Sequence, residues 1–276
     1  MLEFLRALAP GSRVLDLGCA NGSFAAPCGQ HVVRVDLERP SRPLSGFEPG
    51  FLQADGARLP FAARTFDLVI SNHSLEHFDD LDGALREIGR VVKPDGALFV
   101  AVPDASTFSD RLYRWLARGG GHVNPFTSAD VLGARIASAC GLRLLAIRTL
   151  CTSLACLNRK NQTTRAPRRL LVLAGGEEHV LLLATYAFRL LDRILGTRLS
   201  VYGWALYFSN IHAPVECRTW TNVCVRCGSG HSSRWLEEDL HLVRRRWFWS
   251  TYRCPSCGAA NLFTRDEDYA HFAEGR

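Results

Sequence analysis

Two groups of residues have types and spacings that could do chemistry. Cys224 and Cys227, then Cys254 and Cys257, make two C-x2-C knuckles with 26 residues between them, each knuckle followed by a glycine. Four thiolates at that spacing suit one tetrahedral ion, zinc or another thiophilic metal, and the trailing glycines free backbone amides to point at the sulfurs. The interval exceeds the roughly 15–20 residues usual in such ribbons, so a longer hairpin must join the knuckles. Near the other end, Asp16-Leu-Gly18-Cys19-Ala-Asn-Gly22 reads G-x-x-x-G with an acid two residues ahead of the first glycine. A carboxylate there would repel a pyrophosphate, but it suits a ligand carrying sulfonium and ammonium groups. Asp36 can accept both hydroxyls of a ribose, and Asp55 can accept from an exocyclic amine such as that of adenine.

These residues need strand ends to hold them. Short apolar runs predict strands over 13–17, 31–36, 51–55, 66–71 and 97–102. A brief helix is expected from Ser23, and an amphipathic helix over 81–92 is stopped by Lys93-Pro-Asp-Gly96. Alternating strands and helices with short connections mean a Rossmann-like, doubly wound α/β fold with a mostly parallel sheet. Ligands of such sheets bind at the carboxyl ends of the strands, where Gly18, Asp36 and Asp55 all fall. Further on, a helix over 128–140 capped by Thr127 or Ser128, a strand over 142–149, mainly helical residues over 168–195 and a last strand over 199–208 complete the pattern.

The chain has 276 residues, 47% hydrophobic and 22% charged, with a net charge of +6, which excludes wholesale disorder and fits one large domain with a small one. The longest mostly apolar run, 180–188, is half of what a membrane span needs. Glu3 and Arg6 interrupt the apolar centre a signal peptide would have, so a cytoplasmic setting is expected. In that reducing compartment the 10 cysteines are read for metal or redox chemistry rather than for disulfides. Residues 1–155 are neutral, and the positive surplus lies in 156–210, where Arg159, Lys160, Arg165, Arg168 and Arg169 fall within eleven residues. The simplest reading of that run is a solvated connector.

Residues 12–103 resemble the class I S-adenosylmethionine-dependent methyltransferases, in particular the type 11 methyltransferase domain. The matching stretches are Val14-Leu-Asp-Leu-Gly-Cys-Ala-Asn-Gly22, Val33-Arg-Val-Asp36, Gln53-Ala-Asp55, Leu59-Pro-Phe61, 66–73, Leu75-Glu-His-Phe78 and 85–102. The resemblance implies Asp16 and Gly18 near the methionine moiety, with Cys19 and Gly22 of the same turn counted among the cofactor-binding residues, although the simplest reading of Cys19 is a small buried residue. It further implies Asp36 and Leu37 at the ribose and adenine, Asp55 and Gly56 at the adenine rim, and Asn72 and His73 facing the transferred methyl. Two departures stand out: Ala20 replaces the family's middle glycine, and with only 12 residues ahead of the first strand the usual N-terminal helix that covers the cofactor is expected to be nearly absent. Helices after residue 165 are the expected substitute cover.

Methyl transfer from a sulfonium is an in-line displacement, and positioning alone can supply on the order of 7–11 kcal/mol. A base is needed only for a weakly acidic acceptor, and the candidates are His73, His77 and His122. Three organisational segments follow: a cofactor-binding core over 1–155, a helical insertion or lid with the last strand over 156–210, and a zinc-ribbon-like β module over 211–276. Between its knuckles the module carries Trp235, Arg244-Arg-Arg-Trp-Phe-Trp249 and Tyr252. These could stack bases and hold phosphates, although a small module also needs such aromatics for a core. The leading function is methyl transfer to a small-molecule, saccharide or lipid-type acceptor. The alternatives are RNA or protein methylation docked by the ribbon, and a non-catalytic cofactor- or nucleic-acid-binding protein.

Overall fold

The computed structural model describes every residue except 21–29, 41–49, 117–120, 159–176, 212–214, 216–217, 246, 248 and 273–276. Its centre is a seven-stranded sheet: β1 (Arg13–Leu17), β2 (His31–Asp36), β3 (Phe51–Gln53), β4 (Phe66–Asn72), β5 (Val92–Pro103), β6 (Leu144–Cys151) and β7 (Val201–Ser209). The order across the sheet is β3-β2-β1-β4-β5-β7-β6, and the pairs β1–β2, β1–β4, β2–β3 and β4–β5 are parallel. The order reverses at β1, so the crevice where ligands of such sheets bind opens beside the end of β1. The class I methyltransferase fold expected from sequence is the one observed.

The helices are α1 (Leu2–Ala7), α2 (Leu81–Val91), α3 (Phe108–Leu116), α4 (Ala129–Cys140) and α5 (Glu178–Leu195). α2 starts where the Asp80 carboxylate accepts from the Gly83 amide, and its apolar face buries Leu81, Ala84, Leu85, Ile88 and Val91. α4 is capped by Ser128, whose hydroxyl accepts from the Val131 amide, and it ends at Gly141 in the left-handed conformation. The strand expected over 97–102 starts earlier, at Val92. Phe66 pairs with Val92, the register then shifts, and Leu68 pairs with Ala97, so Lys93 to Gly96 form a bulge in the strand rather than a break before it. The third strand ends at Gln53, which leaves Asp55 in the following turn.

The chain divides into two compact units. The first holds Met1–Asp104, Gly121–Ile147 and Trp204–Cys217. Its core joins Leu15, Leu17, Val35, Val69, Leu85, Ile88, Val100, Ile136, Leu206 and Phe208. Phe4 of α1 packs edge-on to Tyr207, whose hydroxyl donates to Glu3 at 3.0 Å.

The second unit holds Ala105–Gly120, Arg148–Gly203 and Arg218–Arg276, and so gathers α3, α5 and the cysteine knuckles. Its strands are β8 (Asn222–Val223) with β9 (Gly230–His231), and an antiparallel sheet of β10 (Val243–Arg245), β11 (Ser250–Arg253) and β12 (Ala260–Phe263). Leu154, Leu181 and Val225 form one small core there; Leu236, Tyr252, Ala259 and the buried Cys224 and Cys254 form another.

Candidate functional site

β1 delivers the turn 18–20 to the sheet's carboxyl end. Gly18 lies at φ +72° and Ala20 at φ +44°, conformations that favour glycine. The amides of Gly18 and Cys19 both donate to the Val35 carbonyl, at 2.8 and 3.1 Å, which ties the turn to β2. At the end of β2 the Asp36 carboxylate accepts from the amides of Ala20 at 2.7 Å and Glu38 at 3.0 Å. Each carboxylate oxygen keeps a second lone pair, so Asp36 retains acceptor capacity for a ribose. Leu37 beside it is 65% exposed, an apolar surface open to a flat ring.

The charge around this turn is negative. Burial, followed by the charges of Asp16 and Asp36, pushes the Cys19 thiol up to about 12. Asp16 itself is fully buried on β1, with the guanidinium of Arg34 at 4.0 Å. A cationic ligand is favoured at such a place and an anionic one is disfavoured. Gly22, assigned to the same turn from sequence, lies outside the described residues.

The segment after β4 closes over the two glycines. A methyl group on Gly18 would overlap the Ser74 side chain, 2.8 Å from its Oγ, and one on Gly56 would press 3.0 Å from the Phe78 ring. The Ser74 hydroxyl donates to the Leu17 carbonyl at 2.9 Å and lies 2.6 Å from the Ser71 hydroxyl. Asp55 shapes the adjoining turn by accepting from the Ala57 amide at 2.9 Å. Gly18, Gly56, Ser74 and Phe78 thus form one wall. Ser71, Ser74 and Phe78 were given no role from sequence, although Ser71 and Phe78 stand inside the matched motifs and Ser74 falls between two of them.

Asn72 ends β4, and its register partner on β5 is Ala101. His73 follows at φ +55°, its amide donating to the Ala101 carbonyl at 2.8 Å; a non-glycine residue held there stores backbone strain of the kind found at functional sites. Burial, with His122 and His77 nearby, lowers the His73 imidazole to about 4, so it is neutral at neutral pH. His77 and His122 stack edge-on with ring centroids 4.9 Å apart. The three histidines proposed from sequence therefore share one neighbourhood, with Glu76 buried beside them. Glu76 was missed because a glutamate in a short motif looks like a solvated charge until residues 121–124 fold over it.

The second site is built from the knuckles. Each has the same backbone: the Gly228 amide donates to the Cys224 carbonyl at 2.9 Å, the Gly258 amide to the Cys254 carbonyl at 2.8 Å, and both glycines have positive φ. Sulfurs of opposite knuckles lie 3.6 Å apart in the pairs Cys224–Cys257 and Cys227–Cys254. Four sulfurs at roughly 2.3 Å from one zinc ion in a tetrahedron stand about 3.8 Å apart, so the donor set fits that ion. The Arg226 amide and the Asn261 side-chain amide each donate to the Cys224 sulfur at 3.4 Å. Among the ribbon aromatics, Tyr252 is buried and Trp235 packs against the same core, whereas Trp247 is 97% exposed and Trp249 51%. The Arg159 to Arg169 run lies outside the described residues, and so does the part of the expected cover before residue 177; the rest is α5, Glu178–Leu195.

The family described as "Methyltransferase domain" matches residues 1–147. The zebrafish (Danio rerio) protein named arginine-hydroxylase NDUFAF5, mitochondrial, is 35% identical over 147 residues, covering 48% of this chain and 46% of that one. The demethylmenaquinone methyltransferase of Corynebacterium urealyticum is 39% identical over 98 residues, covering 34% of this chain and 43% of that one. The chain therefore spans less than half the length of these curated relatives. Among solved structures, a SAM dependent methyltransferase from Archaeoglobus fulgidus superposes with a TM-score of 0.50 at 18% identity, over 76% of this chain and 89% of that one. At that identity the likeness concerns the fold.

Proposed function

Because the chain belongs to the methyltransferase domain family, we propose that it binds S-adenosylmethionine at the end of β1 and β2 and transfers the methyl group directly to a small-molecule, saccharide or lipid-type acceptor. The observation that carries this reading is the Asp36 carboxylate, fixed by two backbone amides beside a turn whose local charge favours a cation. When bound, the cofactor supplies an electrophilic methyl on a sulfonium. The chain supplies position. Asp36 and Leu37 hold the ribose and the face of the adenine, Asp55 and Gly56 its rim, and the turn Gly18–Ala20 accommodates the amino-acid end, to which Gly22 is assigned from sequence. Asn72 and the neutral His73 face the methyl, and His73, His77 or His122 can take a proton from a hydroxyl acceptor. A relative named for demethylmenaquinone supports an acceptor of the small or lipid type.

Zinc in the four-cysteine site completes the cofactor set, as a structural ion with no open position. Among the described residues no helix is long and apolar enough to cross a membrane, and a cytoplasmic setting with reduced thiols is part of the proposal. A second reading, RNA docked by the ribbon, draws on the exposed Trp247 and Trp249, which lie with Arg193, Arg245 and Arg265 along one cleft of the second unit.

The test is calorimetric titration of the zinc-loaded protein with S-adenosylmethionine and S-adenosylhomocysteine, beside Asp36→Ala, followed by acceptor screening with labelled methyl. Micromolar binding lost in the variant is the expected result. A folded protein that binds neither compound sinks the reading. Strong, salt-sensitive RNA binding that disappears with Trp247→Ala would favour the second reading.

A further inference from the structure

Glu76, His77 and His122 meet in the first unit, where the segment after β4 is joined to residues 121–124. One ligating atom from each, a carboxylate oxygen and two ring nitrogens, lies within 4.8 Å of the other two. Their burial is graded: Glu76 is 1% exposed, His122 is half-buried and His77 is exposed. A carboxylate thus sits behind two imidazoles that reach solvent.

The scaffold around them is tied in place. The Val123 and Asn124 amides donate to the Glu76 carbonyl at 2.8 and 3.0 Å. The Asn124 side-chain amide donates to the carbonyls of Leu75 at 3.1 Å and Phe78 at 2.7 Å. His77 Nδ1 lies 2.9 Å from the Gly121 carbonyl oxygen. A carbonyl can only accept, so the proton is on Nδ1 and the lone pair of Nε2 is left for a ligand. A backbone carbonyl holding the far nitrogen of an imidazole is the arrangement by which proteins orient metal-binding histidines.

We infer that Glu76, His77 and His122 form a site for a divalent first-row transition metal, distinct from the four-cysteine site. Two imidazoles and one carboxylate suit zinc, cobalt or ferrous iron better than magnesium or calcium, which prefer oxygen alone. Ligands at roughly 2.0–2.2 Å from such an ion stand about 3.3 Å apart, so the donors close by on the order of 1 Å as it enters. Rotation of the half-buried His122 ring supplies that movement, while His77 keeps its bond to the Gly121 carbonyl. Three protein ligands leave a coordination position for water or an oxygen-bearing ligand. Ion binding itself does not depend on methyl transfer, so the two proposals stand or fall separately.

The experiment loads the four-cysteine site with zinc, removes loosely bound metal, and titrates the full chain with cobalt(II). Visible absorption and elemental analysis are read together. The expected result is one further equivalent of metal, with weak visible bands of nitrogen and oxygen ligation and no near-ultraviolet thiolate band. In His122→Ala and in His77→Gln its affinity falls at least about tenfold while the zinc of the ribbon is retained. His77→Gln replaces an exposed ring and keeps a donor for Gly121, so it guards against a folding defect in the other variant. No additional equivalent in the unaltered protein overturns the site. So does an additional equivalent that binds equally well to folded His77→Gln.

Discussion

The carboxylate of Asp36 holds the amide of Ala20 at 2.7 Å, and Ala20 lies at φ +44°. One bond thus pins the turn after β1 to the end of β2 at the residue that departs from the glycine pattern. A left-handed alanine costs about 1–2 kcal/mol, while a glycine there costs roughly 0.5–1 kcal/mol more chain entropy. Ala20→Gly is therefore expected to stabilise the protein by up to about 1 kcal/mol, raising Tm by a few degrees, without weakening S-adenosylmethionine binding. Asp36→Ala removes both the tether and the ribose acceptor, so affinity should fall at least about tenfold with a smaller effect on Tm. Thermal melts with calorimetry check both variants; unchanged affinity in Asp36→Ala would remove this carboxylate from the site.

Gly18 faces the Ser74 side chain at φ +72°, so Gly18→Ala meets both a steric and a backbone obstacle. A loss of about 1–3 kcal/mol is expected. The steric part belongs to the pair. Ser74→Gly should therefore cost less in the Gly18→Ala background than alone, even though it removes hydrogen bonds to Leu17 and Ser71. Additive denaturation energies in the four-protein cycle would show that the two residues do not oppose each other.

How much was legible follows from which interactions are local. The strands over 13–17 and 31–36 appear with those bounds because each is a short apolar run ended by chemistry-bearing residues. β5 started five residues before its expected position, since Pro94 and Gly96 signal a break to any local rule while pairing with β4 carries the strand through. α3 was not anticipated. The four cysteines stand out by type and spacing and the three histidines were singled out with the help of the family resemblance, whereas Glu76 and the wall of Ser74 and Phe78 depend on segments far apart in sequence. The ribbon aromatics could not be sorted locally: Trp235 and Tyr252 are inside, and Trp247 and Trp249 outside, because only the folded β10–β11 hairpin separates them.

Arg90 on α2 holds the Leu59-Pro-Phe61 segment, donating to the carbonyls of Leu59 at 2.9 Å and Phe61 at 2.7 Å and to the Glu87 carboxylate at 2.7 Å. Glu87 in turn accepts from the Leu59 amide at 2.8 Å. The Arg90 hydrogen bonds lower the Glu87 carboxyl below its ordinary value of 4.5. A group with a lowered folded pKa contributes stability that is present above its unfolded pKa and lost as pH falls through the folded one. Arg90→Ala is expected to cost about 1–2 kcal/mol at neutral pH, with solvent screening keeping it at the lower end. The difference from the unaltered protein should shrink below about pH 4. Urea denaturation at pH 7 and in the acid range measures it, and a gap that widens in acid would reverse the assignment.

The first knuckle is not an isolated module. The Ser153 hydroxyl donates to the Cys224 carbonyl at 2.9 Å, and the Asn158 amide to the Val225 carbonyl at 2.9 Å. Arg226 makes a two-pronged pair with Glu178 at the start of α5, at 2.6 and 2.8 Å, and Val225 packs against Leu181 of that helix. A thiolate site of this kind carries folding energy on the order of 10 kcal/mol when zinc enters it. Removing the metal should therefore loosen α5 along with the knuckles. Chelation is expected to increase amide hydrogen exchange across both 178–195 and 222–263, while β1, β2 and β4 keep their protection. Arg226→Ala should lower Tm without changing the zinc content, because it cuts the link to α5 and leaves all four sulfurs in place. Protection of α5 that survives complete removal of zinc would show that the helix is held by its own contacts and that the knuckles only rest on it.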